Sequence, residues 1–442
     1  MSTAQVSNFV KNLKYVNIPE EVIIKAKTAI RDIIGVSIAA YHNEAVESAR
    51  KMAVAGGGKK EANILGQAIK VPCEMAVFVN SVMASTLDMD DGSMGLRGHL
   101  RVHRGHPGGI IVPSAMAVAQ RHHTAGKELL EAVIAGYEVS LMTAWLIGKT
   151  VLASVTGCYG AAAAAAKLLN LPSDKITQTF NIVSAHCPQP SYEFIWTKID
   201  MSKEAPAWSA LTAVMAAILS ENGFRATPCY YEYPEHDRKP FQSLGKDWEI
   251  LDLYFKQYSA CRHAHAPIDA VLKLKNDHNI DPKTITNVIV GCSANKGYNM
   301  NNKRPNNIWQ AQYSIPFVIG CALKDGKVGP DQVNIQMLQD KDILNISDKV
   351  ALVVDEDVEN LQPGAFAARV LIKTYDGQHY ETFIAHPKGD PENPLTEKEL
   401  KTKFEELTYP IIGEKKASQL SSYIDNLEAC RDINNMFQMI MV

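Results

Sequence analysis

The sequence predicts an α+β protein: a large all-helical domain with a second, smaller α/β domain. Three observations predict it. The 442-residue chain is long enough to divide into two domains. Up to about residue 265 the apolar residues recur at helical spacing, with almost no strict alternation. Beyond that point four short runs rich in β-branched residues appear, bounded by turn residues. The boundaries implied are 1–266 together with 391–442 for the all-helical domain, and 267–390 for the α/β domain.

The elements follow in order. Asn17-Ile18-Pro19-Glu20-Glu21 opens a helix, with proline early and acids in the first turn. Val22, Ala26, Ala29, Ile33 and Val36 hold its period through Ala40. Gly56-Gly57-Gly58-Lys59-Lys60 is a turn, and no phosphate loop follows it, because the glycine-lysine-serine/threonine element is missing. A helix from about Val71 ends at Leu87-Asp88-Met89-Asp90-Asp91-Gly92, and another begins with Ile110 to Ala119. Leu129–Ile147, Gly160–Leu169 and Trp208–Leu219 are alanine-rich or continuously apolar, as helices buried on most sides are. Strands are expected at Thr284–Val290, Lys349–Val354, Ala368–Thr374 and Tyr380–Ile384, the last two joined through the hairpin signal Asp376-Gly377. Gln310 to Leu323 reads as a helix between them. Thr396-Glu397-Lys398-Glu399 is a capping-box pattern that starts a helical tail, expected to pack on the first domain.

A charged content of 21% and a hydrophobic content of 46% are ordinary for a globular chain. The formal charge of −3, with no basic stripe interleaved with aromatics, argues against a nucleic-acid partner. Eight cysteines stand singly with no CxxC pair, the usage of reduced buried thiols rather than structural zinc. The first residues lack a signal-peptide pattern, and no run approaches the ~20 apolar residues that cross a bilayer. A cytoplasmic protein with no membrane partner is therefore expected.

Three stretches carry candidate chemistry. Asp88, Asp90 and Asp91 crowd three carboxylates into four residues, followed by His99, His103 and His106, the last within Gly105-His106-Pro107-Gly108-Gly109. Such a cluster repels itself unless it is compensated, and a helix C-terminus is the wrong end of the dipole for it. Lys256-Gln257-Tyr258-Ser259-Ala260-Cys261-Arg262-His263-Ala264-His265 lies at the junction of the two domains, where clefts form. Lys203 immediately precedes a buried helix. His99, His103 and His106 with Asp88 are metal-ligand types, but the interleaved Arg97, Arg101 and Arg104 oppose a cation, so neither a metal nor a cofactor is expected. Ser/His/Asp catalysis has no GxSxG elbow to support it.

The Leu87–Gly92 and Gly105–Pro113 segments resemble the MmgE/PrpD family, as do Ala132–Val139, Gly157 with Gly160–Ala163, Lys256–His265 and Gln310–Pro316. That family includes 2-methylcitrate dehydratase, cis-aconitate decarboxylase and iminodisuccinate epimerase. The resemblance implies a helical domain plus an α/β domain, a homodimer, and no metal. It marks Asp88, His106, Lys203, Lys256 and Tyr298 as active-site positions of the decarboxylase branch. It places Arg262, His263 and His265 in the same motif region as Lys256. The expected catalytic set is Asp88, His106, Lys203 and Tyr298, with Asp88 orienting His106. Asp91, His103, Lys256, Arg262, His263 and His265 are expected to bind substrate. Gly92 stands where that branch has threonine, and Val151 where many members have a histidine. The segment from Gly92 to His106 is also longer than usual. The function implied is a cofactor-independent, dehydratase-like lyase on a small di- or tricarboxylate, abstracting a proton α to a carboxylate. The alternatives are an epimerase or isomerase of a small dicarboxylate, or a catalytically degenerate carboxylate-binding homologue.

Overall fold

A computed structural model describes residues 2–97, 100–147, 153–188, 199–201, 205–234, 239–294, 299–361 and 365–442. The first part of the chain is a set of packed helices: α1 (Ser2–Asn12), α2 (Glu20–Ala39), α3 (Glu44–Ala55), α4 (Cys73–Ser85), α5 (Gly108–Arg121), α6 (Gly126–Ile147), α7 (Ala153–Leu168), α8 (Ser173–His186) and α9 (Pro206–Glu221). As the acids after Pro19 suggest, α2 starts at Glu20 with Pro19 as its cap. The six consecutive alanines of α7, Ala161–Ala166, are fully buried. Its Gly160 lies so close to α6 that a Cβ there would stand 2.5 Å from the Gly136 carbonyl oxygen. By length and composition α6 could cross a membrane, contrary to the sequence expectation, but 94% of its most apolar window is buried inside this protein. Its neighbours here are other helices.

The first 266 residues are not wholly helical, which corrects one expectation. β1 (Ala62–Asn63) pairs with β2 (Lys70–Val71), and β3 (Gly92–Arg97) forms an antiparallel hairpin with β4 (Leu100–His103). β5 (Leu253–Tyr254) then joins the other edge of β3, pairing Gly92 with Tyr254. Glycines and charges in this stretch hide any period-2 pattern. The hairpin is anchored instead by Arg104, wholly buried and ion-paired with Glu249 and, at 3.0 Å, with Asp252. Those partners lie 145 and 148 residues away. Local pattern cannot announce such an anchor.

The second lobe holds α10 (His265–His278), β6 (Ile285–Cys292), α11 (Ile308–Gln312), α12 (Ile315–Asp325), α13 (Lys341–Asp348), β7 (Val350–Val354), α14 (Glu356–Asn360), β8 (Ala368–Thr374) and β9 (His379–Ile384). Its sheet runs β7-β6-β8-β9, with β6 and β7 parallel and the other pairs antiparallel. Gly377 turns the β8–β9 hairpin at φ +80°, the left-handed conformation that glycine adopts without strain. The single helix expected over 310–323 is two, because Ser314 caps α12 through the Phe317 N–H and Pro316 sits in its first turn. The tail forms α15 (Glu397–Ile412), α16 (Glu414–Asp425) and α17 (Asn434–Met439), and the Thr396–Glu399 capping box is present. Phe404 of α15 packs against Gly35 of α2, and Lys403 donates to Asp32 at 2.6 Å. Two large apolar cores result. One joins α1–α9 to the tail, and the other lies between the sheet and α10, α12 and α13. The chain from β5 to α10 runs along the seam.

Candidate active site

The acidic loop follows the end of α4, and Asp88 takes φ +52°, a conformation open to aspartate at some cost. The Lys256 ammonium donates to Asp88 Oδ1 at 2.5 Å and to the Asp88 carbonyl at 3.0 Å, and both side chains are buried. Two more bonds fasten the loop: Ser259 Oγ to Leu87 O at 2.7 Å and Gln312 Nε2 to Thr86 O at 3.0 Å. The Lys256–His265 motif is thus bolted onto the aspartate motif along the seam.

Asp91 faces the other way. Its carboxylate accepts from the Gly108 N–H at 2.9 Å and the Tyr137 hydroxyl at 2.5 Å. Gly108 opens α5, so the acid that lies badly behind α4 lies well ahead of α5, at a positive dipole end. A Cβ on Gly108 would fall on Asp91 Oδ1, which explains the first glycine of the His-Pro-Gly-Gly run. Burial, reinforced by Asp32 and Asp90, nevertheless raises the Asp91 carboxyl to about 8.

His106 is oriented by this same turn. Its Nδ1 lies 2.8 Å from the Asp91 carbonyl oxygen. A carbonyl only accepts, so Nδ1 carries the hydrogen and Nε2 is left as the proton acceptor. Asp88, expected to orient His106, holds Lys256, and the Asp91 backbone carbonyl meets His106 Nδ1.

Three partly exposed histidines converge at the seam. The His103 ring is 5.4 Å from that of His106, and its Nε2 is 3.1 Å from the Tyr254 hydroxyl. Phe366 lies 5.5 Å from His103 and 4.7 Å from His263. The Arg262 guanidinium sits 4.4 Å over the Tyr254 ring, ion-paired with buried Asp390. One of its nitrogens is 3.0 Å from His265 Nδ1, and His265 Nε2 meets the Ala260 carbonyl at 3.2 Å. The carbonyl again sets the tautomer, and burial beside Arg262 and Lys256 pushes His265 well below the usual histidine range. It is a neutral acceptor that steadies Arg262.

The structure brings Asp88, Asp91, His103, His106, Lys256, Arg262, His263 and His265 to one seam. It buries Asp88, Asp91, Lys256, Arg262 and His265 and leaves the other three partly open. Lys203, Tyr298, His99 and Val151 lie outside the described residues. Sequence reasoning missed Tyr254, Phe366 and Asp390. Tyr254, two residues before Lys256, was within reach of the motif. Nothing near Phe366 signals its place. Among the described residues, His386, Asp390 and Glu392 lie close enough together to hold a cation, but Arg262 already occupies Asp390.

Comparison with known families decides the lineage. The MmgE/PrpD N-terminal domain matches residues 4–235 and the MmgE/PrpD C-terminal domain matches 258–429. The chain belongs to the MmgE/PrpD family. Full-length relatives of this MmgE/PrpD protein include the cis-aconitate decarboxylase-like protein oryM of Aspergillus oryzae, 22% identical over 99% of this chain and 97% of that one. The cis-aconitate decarboxylase of Aspergillus terreus is 20% identical over 99% and 95%, and that of Homo sapiens 23% over 97% and 92%. With this family and these relatives, the protein is a lyase-type enzyme.

Proposed function

We propose that this MmgE/PrpD protein is a dehydratase-like lyase acting on a small di- or tricarboxylate without a cofactor. His106 Nε2 takes the proton from the carbon α to a carboxylate. The electron pair left on that carbon spreads into the carboxylate as an enediolate, which nearby cations stabilise. The observation that carries this reading is the His106–Asp91 carbonyl bond, which fixes the tautomer so that the basic lone pair is on Nε2. Support also comes from Arg262 over the Tyr254 ring and His263 against Phe366, and from relatives named for a tricarboxylate substrate. Epimerisation is the second reading, favoured by a second histidine ring 5.4 Å from the first, since inversion needs a proton source on each face.

The deciding experiment incubates the protein in D2O with a panel of hydroxylated and unsaturated di- and tricarboxylates, followed by NMR. α-Deuterium incorporation with loss of water supports the lyase, and incorporation with inversion alone supports the epimerase. Binding in a thermal-shift assay with neither outcome would leave only a carboxylate-binding homologue.

A further inference from the structure

Gly92 closes the acidic motif and Tyr254 lies just before the basic one, and together they decide what His103 can do. Register pairs Gly92 of β3 with Tyr254 of β5, and the Tyr254 side chain lies close against the glycine. A Cβ on Gly92 would overlap the Tyr254 hydroxyl and ring carbon Cζ. Only a residue without a side chain leaves the hydroxyl where it is. From there it meets His103 Nε2 at 3.1 Å, while Arg262 covers the same ring at 4.4 Å and Met94 and Phe366 pack around it. Arg104, next to His103, pins the hairpin that delivers the histidine. His103 is therefore held from three sides: by a buried hydroxyl, by an anchored strand, and by the edge contacts of His106 and Phe366.

We propose that His103 is the second proton-transfer residue of the reaction, and that Tyr254 is its positioning residue, admitted by Gly92. The inference rests on the reading in which His106 abstracts the α-proton. In this step a protonated His103 keeps its Nε2–H on the Tyr254 oxygen and delivers its Nδ1 proton. In elimination the C–H pair forms the new C=C bond, and the C–O pair leaves with the hydroxyl oxygen. That oxygen takes the Nδ1 proton, and water departs. His106 ends protonated and His103 neutral, and exchange with solvent resets both. In epimerisation the same Nδ1 proton goes to the opposite face of the carbon. Burial keeps the Tyr254 hydroxyl protonated, so it serves as a neutral oxygen partner throughout.

Exchange and completion are separable, and that provides the test. In D2O, with whichever acid of the panel the wild type turns over, His103→Gln should retain α-deuterium exchange. Its elimination or inversion should fall by about 100-fold. Tyr254→Phe keeps the ring under Arg262 and should lower the ratio of completion to exchange by about tenfold, shifting the acid limb of the pH–rate profile. Gly92→Ala should act like Tyr254→Phe, and if it fails to fold the tyrosine variant still decides the matter. A His103→Gln protein that loses exchange and completion equally, or neither, overturns this proposal and leaves the His106 reading standing. A folded wild type that catalyses neither on any acid overturns both.

Discussion

The acidic loop and the histidine seam lie side by side but use their polar groups differently. In the loop, Asp88 meets Lys256, and Asp91 meets Tyr137 and the end of α5, all out of contact with water. In the seam, His103, His106 and His263 are partly exposed, with His103 against the Tyr254 hydroxyl, His106 on the Asp91 carbonyl and His263 against Phe366. The charges that make the motifs conspicuous are spent on one another, and the partly exposed histidine rings lie beside them. A charged residue in a motif is thus not by itself a residue that touches the ligand.

That contrast can be broken by mutation. The largest effect should come from Lys256→Met, which strands the Asp88 carboxylate in the interior and should cost about 3–5 kcal/mol in urea denaturation. A variant that keeps wild-type stability would mean the lysine does not fasten the lobes. His106→Ala should leave the melting temperature within a few degrees, yet cut α-exchange by about 100-fold or more. If stability fell and exchange did not, the division between the two regions would be reversed. Gly108→Ala should cost about 1–3 kcal/mol, since its Cβ displaces the Asp91 carboxylate from the start of α5, and calorimetry would register this.

The smallest effect concerns pH. The Asp91 carboxyl, raised to about 8 when folded, binds a proton more readily in the native state than unfolded. Its contribution to stability is complete below the unfolded carboxylate range near ~4 and is lost as pH rises through about 8. Glu138, buried and also raised to about 8, adds a term of the same sign. The melting temperature should fall between about pH 4 and pH 8 and level off above that, and Asp91→Asn should make that fall shallower by a few degrees. An unchanged slope would place the lost proton elsewhere.

Much of the architecture was legible because it rests on local pattern. The helical period of α2, the alanine run of α7, the Asp376-Gly377 turn and the Thr396–Glu399 cap each depend on residues within a few positions of one another. The β3–β4 hairpin was not legible, because glycines and charges mask its alternation and its anchor, Arg104, finds Glu249 145 residues away. The candidate site divides the same way. Motif spacing brought forward Asp88, His106 and Lys256, whereas Tyr254, Phe366 and Asp390 matter only through what folds against them.

By itself, then, the sequence determined the helical lobe, the mixed lobe after it, and the two stretches that meet between them, since periodicity and turn chemistry act over short range. Only the tertiary structure decided which polar groups are spent on each other and which face outward. The Asp88–Lys256 pair spans 168 residues, and the His106 tautomer depends on a carbonyl 15 residues away. A hydrogen bond's partner is a matter of three-dimensional proximity, and no local pattern encodes it.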